Sequence, residues 1–274
     1  MKRTSRIVAL ATTGLLGLQT TAFATWSVVA ADRKTGTIVI ASATCVPQAG
    51  FERFPAKDLR DVQAIVVPGI AGAAAQAGVD VTRANQRLIF AELQKGTPPD
   101  QIVGLLKQDP QIGRRQFGIV DLQGRTTSFS GSENIAVALD RHGRVDGTEI
   151  YYAIQGNILA NEAVITEAVT AFTSSGGELT DRVMAAMEAA DARGGDNRCS
   201  CEKGVKPIAA CTTRTAYVAY IIRADTTDKN GESFNDGQYA LYLSVTDANI
   251  TPDEDANPVK TLRMRYDQWK KARK

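Results

Sequence analysis

The chain has 274 residues, 43% of them hydrophobic and 23% charged, with 32 basic side chains against 30 acidic ones and a formal net charge of +2. Those fractions are ordinary for a globular protein. Near-balanced, dispersed charge argues against a dedicated nucleic-acid binder, so no nucleic acid is expected as a partner.

The N-terminal stretch carries the three parts of an export signal in order. Lys2, Arg3 and Arg6 form a basic start, residues 7–18 are mostly apolar, and Ala22-Phe23-Ala24 supplies a small-residue cleavage site. The apolar run is shorter than the ~20 residues that cross a bilayer, so cleavage after Ala24 is expected and a stable membrane anchor is not. No cysteine sits at the cut and the arginines are not a twin pair, which points to ordinary export rather than a lipoprotein or twin-arginine route. The reading is a signal peptide over 1–24, a single domain over 25–274, and a periplasmic or extracellular location.

Beyond the cut, residues 25–30 and 37–43 are apolar, β-rich runs joined by the charged, glycine-containing turn 32–36, which predicts a hairpin. A second pair is predicted over 64–67 and 70–77, around Pro68-Gly69. The alanine and glycine content of 70–77 implies that something packs closely on it. From Val81 the spacing turns helical, with Leu88, Ile89 and Leu93 on one face and Gly96 as a stop; Pro98-Pro99-Asp100 then opens a second amphipathic helix. Residues 117–122 and 126–129 flank Gln123-Gly124 as another hairpin, and 130–147 is polar enough to read as an exposed loop.

A strand is predicted over 151–155, helices over 162–172 and 179–193, strands over 216–222 and 239–245, and a closing helix over 258–272. Its basic end, Lys270-Lys271-Arg273-Lys274, reads as a solvated helix terminus favoured by the helix dipole. Neither a repeat nor a linker divides the chain. Strands, helices, strands, helices, strands and a helix suit an α+β domain with helices segregated outside stacked sheets.

In an exported chain, Cys45, Cys199, Cys201 and Cys211 are candidates for disulfides, with three possible pairings. A local link of Cys199 or Cys201 to Cys211 would leave Cys45 to pin the early strands. Zinc, with His142 as a fourth ligand, is the poorer reading because the paired Cys-x-x-Cys spacing is missing. His142 is the only histidine, and there is no Gly-x-Ser-x-Gly elbow, so a serine or cysteine triad is disfavoured. Neither a calcium loop nor a phosphate-binding glycine loop is present, and no metal or cofactor is expected.

Four stretches together resemble the bacterial and archaeal family named domain of unknown function 1028. They are Thr25-Trp26-Ser27-Val28-Val29-Ala30-Ala31-Asp32, Arg115-Gln116-Phe117-Gly118-Ile119-Val120-Asp121, Tyr152-Ala153-Ile154-Gln155-Gly156-Asn157-Ile158-Leu159 and Gly194-Gly195-Asp196-Asn197-Arg198; Ala75-Gln76-Ala77 also fits. The chain departs from the family pattern at Ala43-Thr44-Cys45-Val46, in the cysteine-bearing insert after Arg198, and in a longer polar loop over 225–237. The resemblance implies a four-layer αββα sandwich of the N-terminal-nucleophile (Ntn) hydrolase type and amide hydrolysis. Some relatives carry a peptidoglycan-binding module, which hints at wall material; none is recognised here.

Under that resemblance Thr25 is the nucleophile, its own α-amine taking the hydroxyl proton. The amine has a reference pKa of ~7.7–8.0, which suits the task near neutral pH. Spacing alone favours a plainer reading, a branched residue opening a strand. Asn157 and the Gly156 N–H are candidate oxyanion donors, although Gln155-Gly156-Asn157 reads equally well as a turn. Asp32 is a candidate for orienting the amine. Ser27, Gln76, Gln155, Asp196 and Arg198 are candidate binding residues; Asp196 with Arg198 fits an internal ion pair better.

The function expected is therefore an exported hydrolase of a peptide, an acylated amine or a peptidoglycan-derived fragment. The alternative is a non-catalytic cell-envelope module that binds through the same fold. A homo-oligomer stays open on either reading.

Overall fold

The computed structural model of the protein describes residues 22–23, 25–51 and 56–273. Most of the signal-peptide reading thus lies outside the described residues. Eleven described strands form two antiparallel sheets. The larger has six strands in the order β11 (Leu241–Thr246), β10 (Val218–Ala224), β3 (Thr37–Thr44), β2 (Thr25–Asp32), β9 (Ile150–Asn157) and β8 (Leu139–Arg144). The smaller runs from the two-residue β1 (Ala22–Phe23) through β5 (Ala71–Gly78) and β6 (Arg115–Asp121) to β7 (Thr126–Ser130), with β4 (Ala64–Val67) also paired to β5.

Alternation along β2 decides what each face meets, because successive side chains of a strand point to opposite sides. Trp26, Val28 and Ala30 belong to one apolar cluster with Val164, Ile165, Phe172, Val183, Met187, Leu262 and Tyr266. Those partners come from α5 (Ala163–Ser174), α6 (Leu179–Ala192) and α7 (Pro258–Ala272). Val29 and Ala31, on the other face, cluster with Val66 and Ala74 of the smaller sheet. That sheet's outer face packs Ile65, Ala73 and Ile119 against Ile89, Leu93, Ile102 and Leu106 of α3 (Ala84–Gln94) and α4 (Pro99–Leu106). The result is a mixed α+β fold with two antiparallel sheets, α5, α6 and α7 packed on the larger and α3 and α4 on the smaller.

Local chemistry explains the element ends. Gly36 takes φ +73° in the β2–β3 turn, where its N–H donates to Asp32 O at 2.8 Å. In α7, Pro258 occupies the first turn and the Asn257 side chain accepts from the Val259 N–H at 3.1 Å, while Lys270 and Lys271 lie in the last turn. The small residues of β5 are required by close sheet packing: a Cβ on Gly72 would come within 2.6 Å of the Ile38 side chain.

Two predicted features change and two short elements are new. Residues 130–147 are not one loop, since Leu139–Arg144 is β8, paired along β9. Residues 155–157 are not a turn either, since β9 continues in register through Asn157 before Ile158 turns at φ +54°. Two short helices, α1 (Gln48–Phe51) and α2 (Leu59–Gln63), were not anticipated. Two disulfides form, Cys45–Cys199 and Cys201–Cys211, with Cα atoms 5.7 and 5.8 Å apart. The local bridge is the Cys201–Cys211 one, and Cys45 ties the end of β3 to the irregular segment after α6. No helix of the described residues is long and apolar enough to cross a membrane.

Candidate active site

The polar residues of β2 and its neighbours collect on the face that looks at the smaller sheet. Thr25, at 1% exposure, opens β2 and stands opposite Asn157 of β9; Ser27 stands between Gln155 of β9 and Ser42 of β3. Because β2 is paired without interruption from Trp26 onward, Thr25 and Ser27 share that inter-sheet face.

The opposite wall supplies glutamines. Gln76 of β5 accepts at Oε1 from Ser27 Oγ and from Gln63 Nε2, both at 2.6 Å. Its Nε2 donates to Thr25 O at 3.1 Å and to Gln116 Oε1 at 2.7 Å. Gln116 Nε2 in turn donates to Ser130 Oγ at 2.7 Å and to Gly156 O at 2.9 Å, and Gln155 Nε2 donates to Ser27 Oγ at 2.7 Å. Gln76 thus engages both ends of its amide inside the protein and fixes the Thr25 carbonyl. The structure places Ser27 and Gln76 in this internal lattice rather than on a free binding surface.

Two side chains of this lattice keep unmatched atoms. Gln155 Oε1 is buried with no partner, against Gly118, where any Cβ would collide with the amide. Asn157 is completely buried, and neither its Nδ2 nor its Oδ1 makes a hydrogen bond. A buried amide with both ends unpaired costs several kcal/mol in gross terms, on the order of 1–3 per group, so it calls for a ligand or a function. The walls are amides and hydroxyls, and the Tyr220 phenol, which donates to Gln63 Oε1 at 3.3 Å, is pushed far above its ordinary range by burial and stays neutral.

Several expected members lie elsewhere. Asp32 closes β2 at the end opposite Thr25; at ~3.3 Å per residue the two are about 23 Å apart. It accepts from Lys34 N at 2.9 Å and Thr35 Oγ1 at 3.0 Å and shapes the hairpin, so it cannot orient an amine on Thr25. Gly156 sits within the ladder between Trp26 and Leu139, and a Cβ there would meet Leu159 and Ile165. Its lack of a side chain serves packing on α5, on the face away from the Thr25 side chain.

Asp196 and Arg198 do pair, Nε to Oδ1 at 3.0 Å and Nη2 to Oδ2 at 2.8 Å, and Asp196 Oδ2 also accepts from Cys45 N at 2.8 Å. The pair braces the Cys45–Cys199 segment, which reaches β2 where Gly195 packs on the Trp26 ring. His142 is on exposed β8, not in a loop. Its Nδ1 lies 2.8 Å from Ser128 Oγ, which also bonds Asp140, so the serine sits between histidine and aspartate, the wrong order for a triad. Among the described residues no three His, Cys, Asp or Glu side chains group to hold a metal.

Sequence reading missed Gln63, Gln116 and Ser42. The available signal was a glutamine or serine inside an otherwise apolar strand, as in Arg115-Gln116-Phe117.

Among comparisons with known proteins, the model of a family described as "Family of unknown function (DUF1028)" matches residues 25–229. No curated protein matches the chain. Among solved structures, the chain is similar to protein SPO2555 from Silicibacter pomeroyi, described under the same family, with a TM-score of 0.62 and 21% identity over 89% of this chain and 88% of that one. At that identity the likeness is one of fold.

Proposed function

Because this chain belongs to the family of unknown function DUF1028 and membership brings no activity with it, we propose a function from the site itself: an exported amide hydrolase whose nucleophile is Thr25 as the first residue of the mature protein. The observation that carries this reading is the register of Thr25 opposite Asn157, whose buried amide has no partner. The family match, which begins on Thr25, supports it, as does the small-residue cleavage pattern just ahead. Helices packed on each of two antiparallel sheets agree with the αββα layering of N-terminal-nucleophile hydrolases. Two disulfides fit an oxidising compartment outside the cytoplasm.

In this mechanism Thr25 Oγ1 attacks the carbonyl carbon of an amide while the Thr25 α-amine takes the hydroxyl proton. Asn157 Nδ2 donates to the oxygen that becomes negative. The proton passes from the amine to the departing nitrogen, leaving an ester on Oγ1, which water hydrolyses with the same amine as base. The groups around Ser27 and Gln76 are amides and hydroxyls, and a base on Thr25 itself meets the chemical need.

Intact mass and N-terminal sequencing of the exported protein should give a chain starting at Thr25, and Thr25→Ala should lose all turnover of a peptide and acyl-amide library. Equal turnover by both proteins would sink the nucleophile and leave the envelope-binding module as the better reading.

A further inference from the structure

The edge of β5 beside Thr25 is occupied by the chain's own N-terminal residues. Ala22 pairs antiparallel with Gly78 and Phe23 with Ala77. β6 takes the other edge, pairing Ala77 with Arg115 and Ala74 with Gly118, and β4 takes the near edge only from Ala71 to Ala74. The near edge at Ala77 and Gly78 therefore belongs to β1 alone among the described strands. Removing residues 1–24 would release it, and exposed strand-edge groups are a template for another strand.

Chain direction says which part of a ligand belongs there. Ala22 and Phe23 precede the bond that the mature protein has lost, so they lie on the acyl side of an amide whose carbonyl comes next to Thr25. Gln76, adjacent to Ala77, donates to Thr25 O and so ties this edge to the nucleophile. A second observation comes from the far end of the edge. Gln86 Oε1 is buried without a donor, in a residue only 3% exposed, and Gln86 lines a small cavity under the end of β5 with Gly78 and Val79 and, from β6, Arg115 and Phe117. Its other end is engaged, Nε2 donating to Val62 O at 2.9 Å. An orphaned acceptor at that point fits a ligand N–H.

We propose that the substrate is an extended peptide whose residues on the acyl side of the scissile bond add to β5 as an antiparallel strand at Ala77 and Gly78, in the place held by Ala22 and Phe23 before cleavage. This rests on the Thr25 reading for the position of the scissile bond, but the strand addition itself is measurable without turnover. The uncut chain fills its own edge; the processed chain offers it.

The test is calorimetric titration of processed Thr25→Ala protein with acetyl-Ala-Phe-Ala, a copy of residues 22–24, and with the same peptide N-methylated at each amide in turn. The parent peptide should bind, and at least one N-methyl form should bind about tenfold more weakly, the loss expected for one unmade hydrogen bond. Gln86→Leu should weaken the parent peptide while the variant keeps the circular dichroism of the folded protein, its melting temperature falling because Val62 O loses its donor, and the uncut chain should not bind. Absence of binding at millimolar peptide, equal affinity for every N-methyl form, or equal binding by the uncut chain would overturn the proposal. Failure of the nucleophile reading shows separately, as library turnover that survives Thr25→Ala.

Discussion

Thr25 and Asn157 face each other across the β2–β9 ladder, the threonine at 1% exposure and the asparagine at none, and neither end of the asparagine amide has a hydrogen-bond partner. Under the proposed hydrolase reading, this amide is the donor to the developing oxyanion. For Asn157→Ala the expected outcome is a kcat lower by roughly 10²–10³ with KM little changed, the cost of removing one oxyanion donor. Stability should move by only ~1 kcal/mol, because loss of an unpaired polar group offsets the small cavity. Steady-state kinetics and a urea melt check both halves; an undiminished kcat would remove Asn157 from the mechanism.

Gln76 carries a different load. It joins Ser27 and Gln63 at one end of its amide and Thr25 O and Gln116 at the other, all in the dry space between the sheets. Gln76→Leu keeps the bulk and strands four partners. Each buried polar group left unsatisfied costs ~1–3 kcal/mol, so a loss of at least ~3 kcal/mol in unfolding free energy is expected. Chemical denaturation measures it, and a loss below 1 kcal/mol would show that the lattice relaxes onto other partners.

The two disulfides should differ in weight. Cys45–Cys199 closes a separation of 154 residues and Cys201–Cys211 one of 10. On chain-entropy grounds these stabilise by about 5 and about 3 kcal/mol, with native strain reducing either value. Cys45→Ser with Cys199→Ser is therefore expected to destabilise more than Cys201→Ser with Cys211→Ser. Urea midpoints of the two double variants decide the order.

How far the sequence could lead is seen in particular elements. The closing helix with its basic tail was read over 258–272, and the structure keeps that span as α7 from Pro258 to Ala272. The hairpin of β2 and β3 was equally legible, because apolar, β-rich runs flank a charged turn with glycine. β8 was not, since Leu139-Asp140-Arg141-His142-Gly143-Arg144 has almost no strand-forming side chains and owes its conformation to pairing with β9 at the sheet edge. Helices of four and five residues, α1 and α2, are too short for periodicity to register. At the site, Thr25 and Asn157 were named from their residue types and the resemblance, but their opposition depends on register. Asp32 was misplaced for the same reason: nearness in sequence along a strand is distance in space.

Glu254 should govern part of the acid response. The hydrogen bond from Arg265 pulls its carboxyl down to about 2, helped by the Thr251 N–H, and its side chain is 14% exposed. A carboxylate with a folded pKa below its unfolded value of ~4.3 adds stability that is fully present above ~4.3 and is lost as pH falls toward about 2. Its share is on the order of 1–3 kcal/mol. Urea melts between these limits should show the decline, and Glu254→Gln should be less stable at neutral pH with a flatter acid limb. A variant with an unchanged acid limb would assign the decline to other carboxylates.

The catalytic base, if it is the amine of Thr25, leaves a signature that no side-chain base here would share. Only the neutral amine can accept the hydroxyl proton, so kcat/KM should rise with pH and level off once the amine is deprotonated. A free α-amine titrates at ~7.7–8.0, and burial disfavours its charged form, so the midpoint should fall at or below that value. Asp32 is too far away to raise it. Acetylating the N-terminus, or leaving Ala24 in place, converts the base to an amide without altering any strand of the two sheets. Both forms should keep the circular dichroism and melting temperature of the processed protein and lose turnover entirely, while Thr25→Ser, which retains hydroxyl and amine, should keep a measurable part of it. Activity that survives acetylation would place the base on another group and end the case for a self-activating threonine.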